Sequence, residues 1–171
     1  IEDRPGMGKS TLAEATACAF GLAFKRVSFT SDLLPADLIG INVFDPGTTE
    51  FRFKPGPIFT QVLLADEINR ASPRTQSALL EAMAASRVSV DGISHSLPQP
   101  FVVIATQNSL DQVGTSPLPE AQLDRFLMRI HLGFPDRQAE RALLKNTSLT
   151  IAEISSGLDP AALMSLQQQC R

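Results

Sequence analysis

Short runs of consecutive apolar residues alternate with longer Ala-rich stretches along most of the chain. Residues 62–65 and 101–105 are apolar throughout, as is typical of strands buried on both faces of a parallel sheet. Residues 10–22 and 72–85 predict helices, and Ser72 followed by Pro73 is a favourable helix start. Strands that alternate with helices indicate an α/β fold with a parallel central sheet.

Shorter segments complete this pattern. We expect a short helix ending near Ile39, capped by Thr30 or Ser31, although Pro35 lies inside it. In the helix beginning at Ser72, four residues are expected to face inward: Ala78, Leu79, Ala82 and Met83. The remaining predictions are strands at 26–29 and 126–132 and helices at 119–123, 137–145 and 160–169.

Two hairpins interrupt this alternation. Residues 41–53 predict the first, with a turn at Asp45-Pro46-Gly47, and residues 87–97 predict the second, with a turn at Asp91-Gly92. A parallel sheet requires neither hairpin, so both are expected to be insertions.

A Gly-rich segment lies between a strand end and the first predicted helix. Glycines in this context let backbone N–H groups close around phosphate oxygens, and the helix start adds a favourable dipole. Lys9 can reach terminal phosphates, and the hydroxyl of Ser10 can bind Mg²⁺. The predicted nucleotide-binding residues of this loop are Pro5, Gly6, Met7, Gly8, Lys9, Ser10 and Thr11.

The loop departs from the full pattern G-x-x-x-x-G-K-[ST] at one position, because Asp3 stands where the first Gly is expected. The alternative is a Gly-rich turn with a solvated lysine. A chance G-x-G-K-S is uncommon, because Gly makes up only about 7% of residues in proteins.

Two acids follow the apolar run at 62–65. At the end of a parallel strand beside a phosphate loop, Asp66 would hold Mg²⁺ through its water shell and Glu67 would orient the attacking water. The alternative is a strand that runs into an acidic loop, which the preceding phosphate loop makes less favourable.

Four segments resemble the MoxR family of AAA+ ATPases, within the helix-2-insert group. They are LADEINRA at 64–71, TQSALLEAM at 75–83, IATQN at 104–108 and LPEAQLDRF at 118–126. The resemblance covers roughly residues 1–145, and the family's own phosphate loop often carries Asp at the position of Asp3. It implies a three-layer P-loop NTPase fold followed by the start of a helical lid.

The resemblance also implies further roles. Asn108 would be the sensor 1 residue that helps Glu67 to place water, instead of a simple turn residue. Arg125 would be an arginine finger for a neighbouring subunit, instead of an ion-pair partner of Asp124 or Glu120. Arg129 is a weaker finger candidate inside a predicted strand. The two hairpins would be the helix-2 insert and the pre-sensor 1 hairpin, facing pore or client, or simple structural decoration.

The same resemblance divides the chain into a nucleotide-binding core at 1–135 and the start of the lid at 136–171. Because Ile1 and Glu2 resemble a strand end and no initiator Met is present, we expect an upstream part to be missing. We also expect the sensor 2 arginine to lie outside the chain, since Arg137 and Arg141 lack that context.

The charge, the cysteines and the lengths of the apolar runs limit which classes of protein the chain could belong to. The formal net charge is −3 and the isoelectric point is about 5.3, so a nucleic-acid partner is unlikely. Cys18 and Cys170 are not spaced for metal binding, and no apolar run reaches the roughly 18 residues of a membrane span. These features favour a cytoplasmic protein with free thiols.

The function implied by the resemblance is ATP hydrolysis, with ATP and Mg²⁺, by a chaperone-type motor. By this resemblance the motor would form a ring, a hexamer, and would act on a partner protein, often one with a von Willebrand factor A domain. Two alternatives remain: a chelatase-subunit-like or nucleic-acid-remodelling motor, and a nucleotide-sensing module without turnover.

Overall fold

The computed structural model describes residues 1–2, 6–107 and 116–145, and the single positions 154, 157, 159, 161, 162, 164 and 165. Its elements in chain order are α1 Lys9–Ala19, β1 Phe24–Ser28, α2 Pro35–Ile39, β2 Gly40–Asp45, β3 Glu50–Pro55, β4 Val62–Asp66, a 3₁₀ turn Ile68–Arg70, α3 Pro73–Ala85, β5 Arg87–Val90, β6 Ile93–Ser96, β7 Val102–Ala105, α4 Glu120–Leu123 and α5 Arg137–Leu144. No helix among the described residues is long and apolar enough to cross a membrane.

The central sheet contains β1, β4 and β7 in that order, and both pairings are parallel. Every residue of β4 is buried, as the continuous apolar run predicts. In the register, Ala65 pairs with Val27 on one side and with Ala105 on the other. Beyond β7, Glu2 forms a parallel bridge with Gln107. The α/β fold with a parallel sheet is therefore confirmed.

Successive side chains of β4 point to opposite faces of the sheet. On one face, Val62 packs with Ala17 of α1 and with Leu22. On the other face, Leu63 and Ala65 belong to the larger core, which includes residues of α3. Helices therefore cover both faces, and the three layers place the start of α1 beside the end of β4.

Helix α3 begins as predicted, with Pro73 in its first turn and the Ser72 hydroxyl accepting a hydrogen bond from the Thr75 amide at 3.3 Å. Of the four residues expected to face inward, Leu79 and Ala82 are buried, whereas Ala78 and Met83 are half-buried. The helix also buries Thr75, Gln76 and Leu80.

Both predicted hairpins are present, as β2–β3 and β5–β6. They contact each other: the side-chain amide of Asn42 donates to Oδ2 of Asp91, in the turn of β5–β6, at 2.6 Å, and the rings of Phe53 and His95 stack with their centroids 3.8 Å apart. The tip of β2–β3 carries the exposed pair Phe44 and Phe51, whose ring centroids are 5.4 Å apart.

Two local predictions differ from the structure. Helix α2 begins at Pro35, and the Leu34 amide donates to the Asp37 carboxylate at 2.9 Å, so neither Thr30 nor Ser31 caps it. Proline suits the first helical turn because its missing N–H would have no intrahelical partner there. No strand forms at 126–132. In this segment the Ile130 carbonyl accepts a hydrogen bond from the Glu2 amide at 3.0 Å.

Of the two final helices, α5 confirms the first. The second, at 160–169, lies largely outside the described residues.

Candidate nucleotide site

The start of α1 has the backbone geometry of an anion cradle. Gly6 and Gly8 have φ angles of 80° and 77°, in the left-handed region that glycine adopts without strain. The first intrahelical hydrogen bond runs from the Leu12 amide to the Gly8 carbonyl at 2.9 Å. Amides at the start of a helix lack intrahelical acceptors and can therefore bind an anion. Lys9 Nζ lies 3.5 Å from the Gln107 carbonyl oxygen.

The two acids stand at the carboxyl end of β4. Asp66 as a whole residue is 9% exposed, whereas 39% of the Glu67 side chain is exposed. Glu67 has a φ of 55°, which is unfavourable for any residue with a side chain. The chain turns there into the 3₁₀ segment, so that Glu67 points away from the buried strand.

Thr106, directly after β7, fixes both acids. Its hydroxyl donates to Asp66 Oδ1 at 2.5 Å and accepts from the Glu67 amide at 2.9 Å. Its carbonyl accepts from the Ile68 amide at 3.0 Å, and its own amide donates to the Ala65 carbonyl at 2.9 Å. Thr106 is fully buried, so these hydrogen bonds hold the turn after β4 in one conformation.

Two arginines bind the acids. Arg26 of β1 donates from Nε at 3.0 Å and from Nη2 at 2.5 Å to the same oxygen, Asp66 Oδ2. Arg70 donates to Glu67 Oε2 at 2.9 Å. The Arg70–Glu67 pair is largely solvated, with 50% and 39% of the two side chains exposed, so it contributes only about 0–1 kcal/mol.

These parts enclose a single cleft of about 380 Å³. The start of α1 forms one wall, and the ends of β1 and β4 form the other. The lining residues are Gly6, Met7, Gly8, Lys9, Ser10, Thr11, Arg26, Asp66 and Glu67.

Most of the predicted site residues meet in this cleft, namely those of the phosphate loop from Gly6 to Thr11 together with Asp66 and Glu67. Pro5 and Asn108 lie outside the described residues. Arg26 and Thr106 also belong to the site, although the sequence patterns predict neither. Thr106 carries one signal: a hydroxyl directly after an apolar strand, at the level where Asp66 follows the neighbouring strand.

Arg125 does not line this cleft. It lies beside a second cleft of about 280 Å³, lined also by Ser77, Leu80, Glu81 and Gln122, and its Nη1 donates to the Leu80 carbonyl at 3.0 Å. No ion pair with Asp124 or Glu120 forms among the described residues. Arg129 instead pairs with Glu2, outside any strand.

Comparison with known proteins identifies the family. The model of the ATPase family associated with various cellular activities (AAA) matches residues 1–128. The chain is 42% identical over 168 residues to Chaperone MoxR1 of Mycobacterium tuberculosis, covering 98% of this chain and 45% of that protein. The chain belongs to the MoxR family of AAA+ ATPases.

Two further proteins are similar to the chain. The chain is 51% identical over 144 residues to the uncharacterized protein YeaC of Bacillus subtilis, covering 84% of this chain and 45% of that protein. A solved structure from Cytophaga hutchinsonii, provisionally described as an ATPase, superposes with a TM-score of 0.82 at 37% identity. That match covers 98% of this chain and 52% of the solved one. The chain spans less than half the length of these two curated relatives.

The chemistry of this MoxR-type cleft fits a nucleoside triphosphate with Mg²⁺. The two left-handed glycines leave open space where a side chain would stand, since a Cβ at Gly6 or Gly8 would meet no atom within 4 Å. Phosphate oxygens could therefore approach the backbone closely. The hydroxyl of Ser10 and the carboxylate of Asp66 are oxygen donors, the kind that Mg²⁺ prefers.

Proposed function

We propose that this chain binds ATP with Mg²⁺ in the cleft and hydrolyses the terminal phosphoanhydride bond. One observation carries the proposal: the Gly-rich start of α1 and the acid pair at the end of β4 line the same cleft. Membership of the AAA+ ATPase family supports nucleotide binding.

The binding roles follow from position. Backbone amides from Gly6 to Thr11 would donate hydrogen bonds to the phosphate oxygens, and Lys9 would neutralise the terminal phosphates. Ser10 and Asp66 would hold Mg²⁺, which neutralises charge on the β- and γ-phosphates. Pro5 and Met7 would complete the loop around the phosphates.

The catalytic roles require a group that orients water. Glu67 is the carboxylate at the cleft that solvent reaches, and its backbone is fixed by Thr106. We assign to Glu67 the role of orienting the attacking water. By resemblance, Asn108 would help to place that water, and Arg125 would reach the γ-phosphate of a neighbouring subunit.

Two substitutions in the full-length protein separate binding from turnover. Lys9→Ala should weaken nucleotide affinity, because a phosphate-facing charge is lost. Glu67→Gln should keep binding but abolish phosphate release. Matched controls are Lys54→Ala and Glu14→Gln, which change exposed side chains elsewhere. Normal turnover in Glu67→Gln would refute the catalytic role, and unchanged affinity in Lys9→Ala would refute the binding role.

The wider role rests on resemblance and on the relatives' names. Chaperone MoxR1 is named as a chaperone. We propose that the complete protein forms a hexameric ring in the cytoplasm and remodels or activates a partner with a von Willebrand factor A domain. The core at 1–135 would be followed by the start of a lid at 136–171.

The tip of hairpin β2–β3 is our candidate for contact with the partner. Phe44 and Phe51 are 49% and 72% exposed, and exposed aromatic patches often mark interaction sites. Phe44→Ser with Phe51→Ser should leave nucleotide affinity unchanged and weaken co-elution with an A-domain partner. Equal co-elution of the variant would refute this contact.

A further inference from the structure

The carboxylate of Asp66 is fully engaged by the protein itself. Thr106 donates to Oδ1, and Arg26 donates through two nitrogens to Oδ2. Only 13% of the Asp66 side chain is exposed, whereas 54% of the Arg26 side chain is exposed. The guanidinium therefore approaches this carboxylate from the solvent side and covers the oxygen that Thr106 leaves available.

The register explains how Arg26 reaches that oxygen. Ser28 pairs with Asp66 and Arg26 pairs with Leu64, so Arg26 and Asp66 project from the same sheet face. This face also carries α1 and the phosphate cleft, which Arg26 lines. Lys25 projects from the opposite face and is exposed, so it has the same charge on the same strand without access to Asp66.

A guanidinium does not lose its proton in a protein, so Arg26 is a permanent positive charge beside Asp66. Two cations on the same side of one carboxylate oxygen repel each other. Any divalent cation that uses Asp66 Oδ2 must therefore displace Arg26 or accept a weaker contact.

We propose that Arg26 is a positioning residue that competes with Mg²⁺ for Asp66. This proposal rests on the proposed function of the cleft. Without metal, Arg26 neutralises Asp66 and keeps a second negative charge from facing the phosphates. With Mg²⁺-nucleotide, the guanidinium leaves Oδ2 and the carboxylate becomes available to the cation. Arg26 thus lowers the dependence of nucleotide affinity on Mg²⁺.

The coupling between metal and nucleotide measures this competition. The affinity of full-length protein for fluorescently labelled ADP is measured in EDTA and across a Mg²⁺ titration. ADP excludes turnover from the readout. In Arg26→Met, metal-free affinity should fall, because Asp66 is uncompensated, while the half-saturating Mg²⁺ concentration should also fall. The ratio of affinities with and without Mg²⁺ should rise at least about fivefold, a size typical of coupled sites.

Lys25→Met is the matched control, and its affinity ratio should equal that of the unchanged protein. Asp66→Asn supplies the second arm: in that background, Arg26→Met should no longer alter the ratio, as a double-mutant cycle requires for direct competition. If Arg26→Met does not fold, as judged by circular dichroism, Arg26→Gln takes its place with the same expectation.

The outcomes separate the two proposals. A ratio in Arg26→Met that is equal to or below that of the unchanged protein overturns the competition while leaving nucleotide binding intact. A ratio that still rises in the Asp66→Asn background overturns it as well, since Arg26 would then act elsewhere. Absence of ADP binding by the unchanged protein at every Mg²⁺ concentration overturns the proposed function itself.

Discussion

Thr106 donates a hydrogen bond of 2.5 Å from its hydroxyl to Oδ1 of Asp66. The same hydroxyl accepts from the Glu67 amide, so one buried oxygen joins the ends of two neighbouring strands. The metal-binding acid and the water-orienting acid of the proposed site are therefore held by one residue of the adjacent strand.

This relationship predicts the effect of removing the hydroxyl. Thr106→Val keeps the shape of the side chain but leaves the Asp66 oxygen and the Glu67 amide without this partner. A buried polar group left unpaired costs about 1–3 kcal/mol, so we expect a loss of that size in the free energy of unfolding. Turnover should fall as well. Thr106→Ser keeps the hydroxyl and should retain most of both properties; equal losses in Ser and Val would show that the methyl group matters more than the hydrogen bonds.

The left-handed conformation of Glu67 makes a second prediction. Non-glycine residues in this region cost roughly 1–2 kcal/mol, so Glu67→Gly should be at least as stable as Glu67→Ala, although both lose turnover. At Glu14, within α1, the order should reverse, because Gly in a helix interior is about 1 kcal/mol worse than Ala. Urea denaturation of the four variants tests this. If Ala were more stable than Gly at both positions, the backbone at Glu67 would not be strained.

Some of the site could be predicted from local sequence alone. The Gly-rich loop and the acid pair are each contiguous, and a strand or helix boundary beside each one defines its chemistry. Arg26 and Thr106 could not be assigned in that way, because their roles depend on which strands are neighbours and on the register between them. The family resemblance at residues 104–108 implies a role for Asn108 and none for Thr106 in the same segment.

The fold shows the same division. The strand at 62–65, the hairpins and helix α3 were predicted because each carries its own period, cap or turn signal. The segment 126–132 is rich in apolar residues, but a strand also needs a partner of matching length. Among the described residues, the backbone hydrogen bond that this segment accepts from the edge of the sheet comes from the Glu2 amide. Apolar content without such a partner does not determine a strand.

Close backbone packing at the base of hairpin β2–β3 gives the third prediction. A Cβ at Gly56 would stand 2.3 Å from the Leu38 carbonyl oxygen and 2.7 Å from the Gly40 amide nitrogen. Gly56→Ala should therefore destabilise the chain by about 1–3 kcal/mol, since backbone atoms must move. Gly47→Ala is the control, because a Cβ there meets only a flexible Asp45 oxygen at 3.3 Å. Equal unfolding midpoints for the two variants would contradict this packing argument.

The fourth prediction concerns Arg125, which lines a different cleft from the phosphate loop of its own chain. If Arg125 acts across a subunit boundary, Arg125→Ala rings should bind ATP and fail to cleave it. An arginine finger is typically worth about 10³–10⁵ in rate, so the loss should be nearly complete. A role limited to the hydrogen bond with the Leu80 carbonyl predicts instead a modest loss of stability with much of the turnover kept.

Mixed rings test the shared site directly. Glu67→Gln rings and Arg125→Ala rings should each be inactive, but for different reasons. After subunit exchange, some interfaces combine an intact Glu67 from one subunit with an intact Arg125 from its neighbour. Those interfaces should hydrolyse ATP, so a mixture of the two full-length variants should recover part of the lost phosphate release. A finger that acts within its own chain predicts no recovery, because every subunit in the mixture still lacks one essential group. Exchange is verified by energy transfer between labelled subunits before the assay, and well-exchanged mixtures that stay as inactive as the separate variants would exclude an active site shared between subunits.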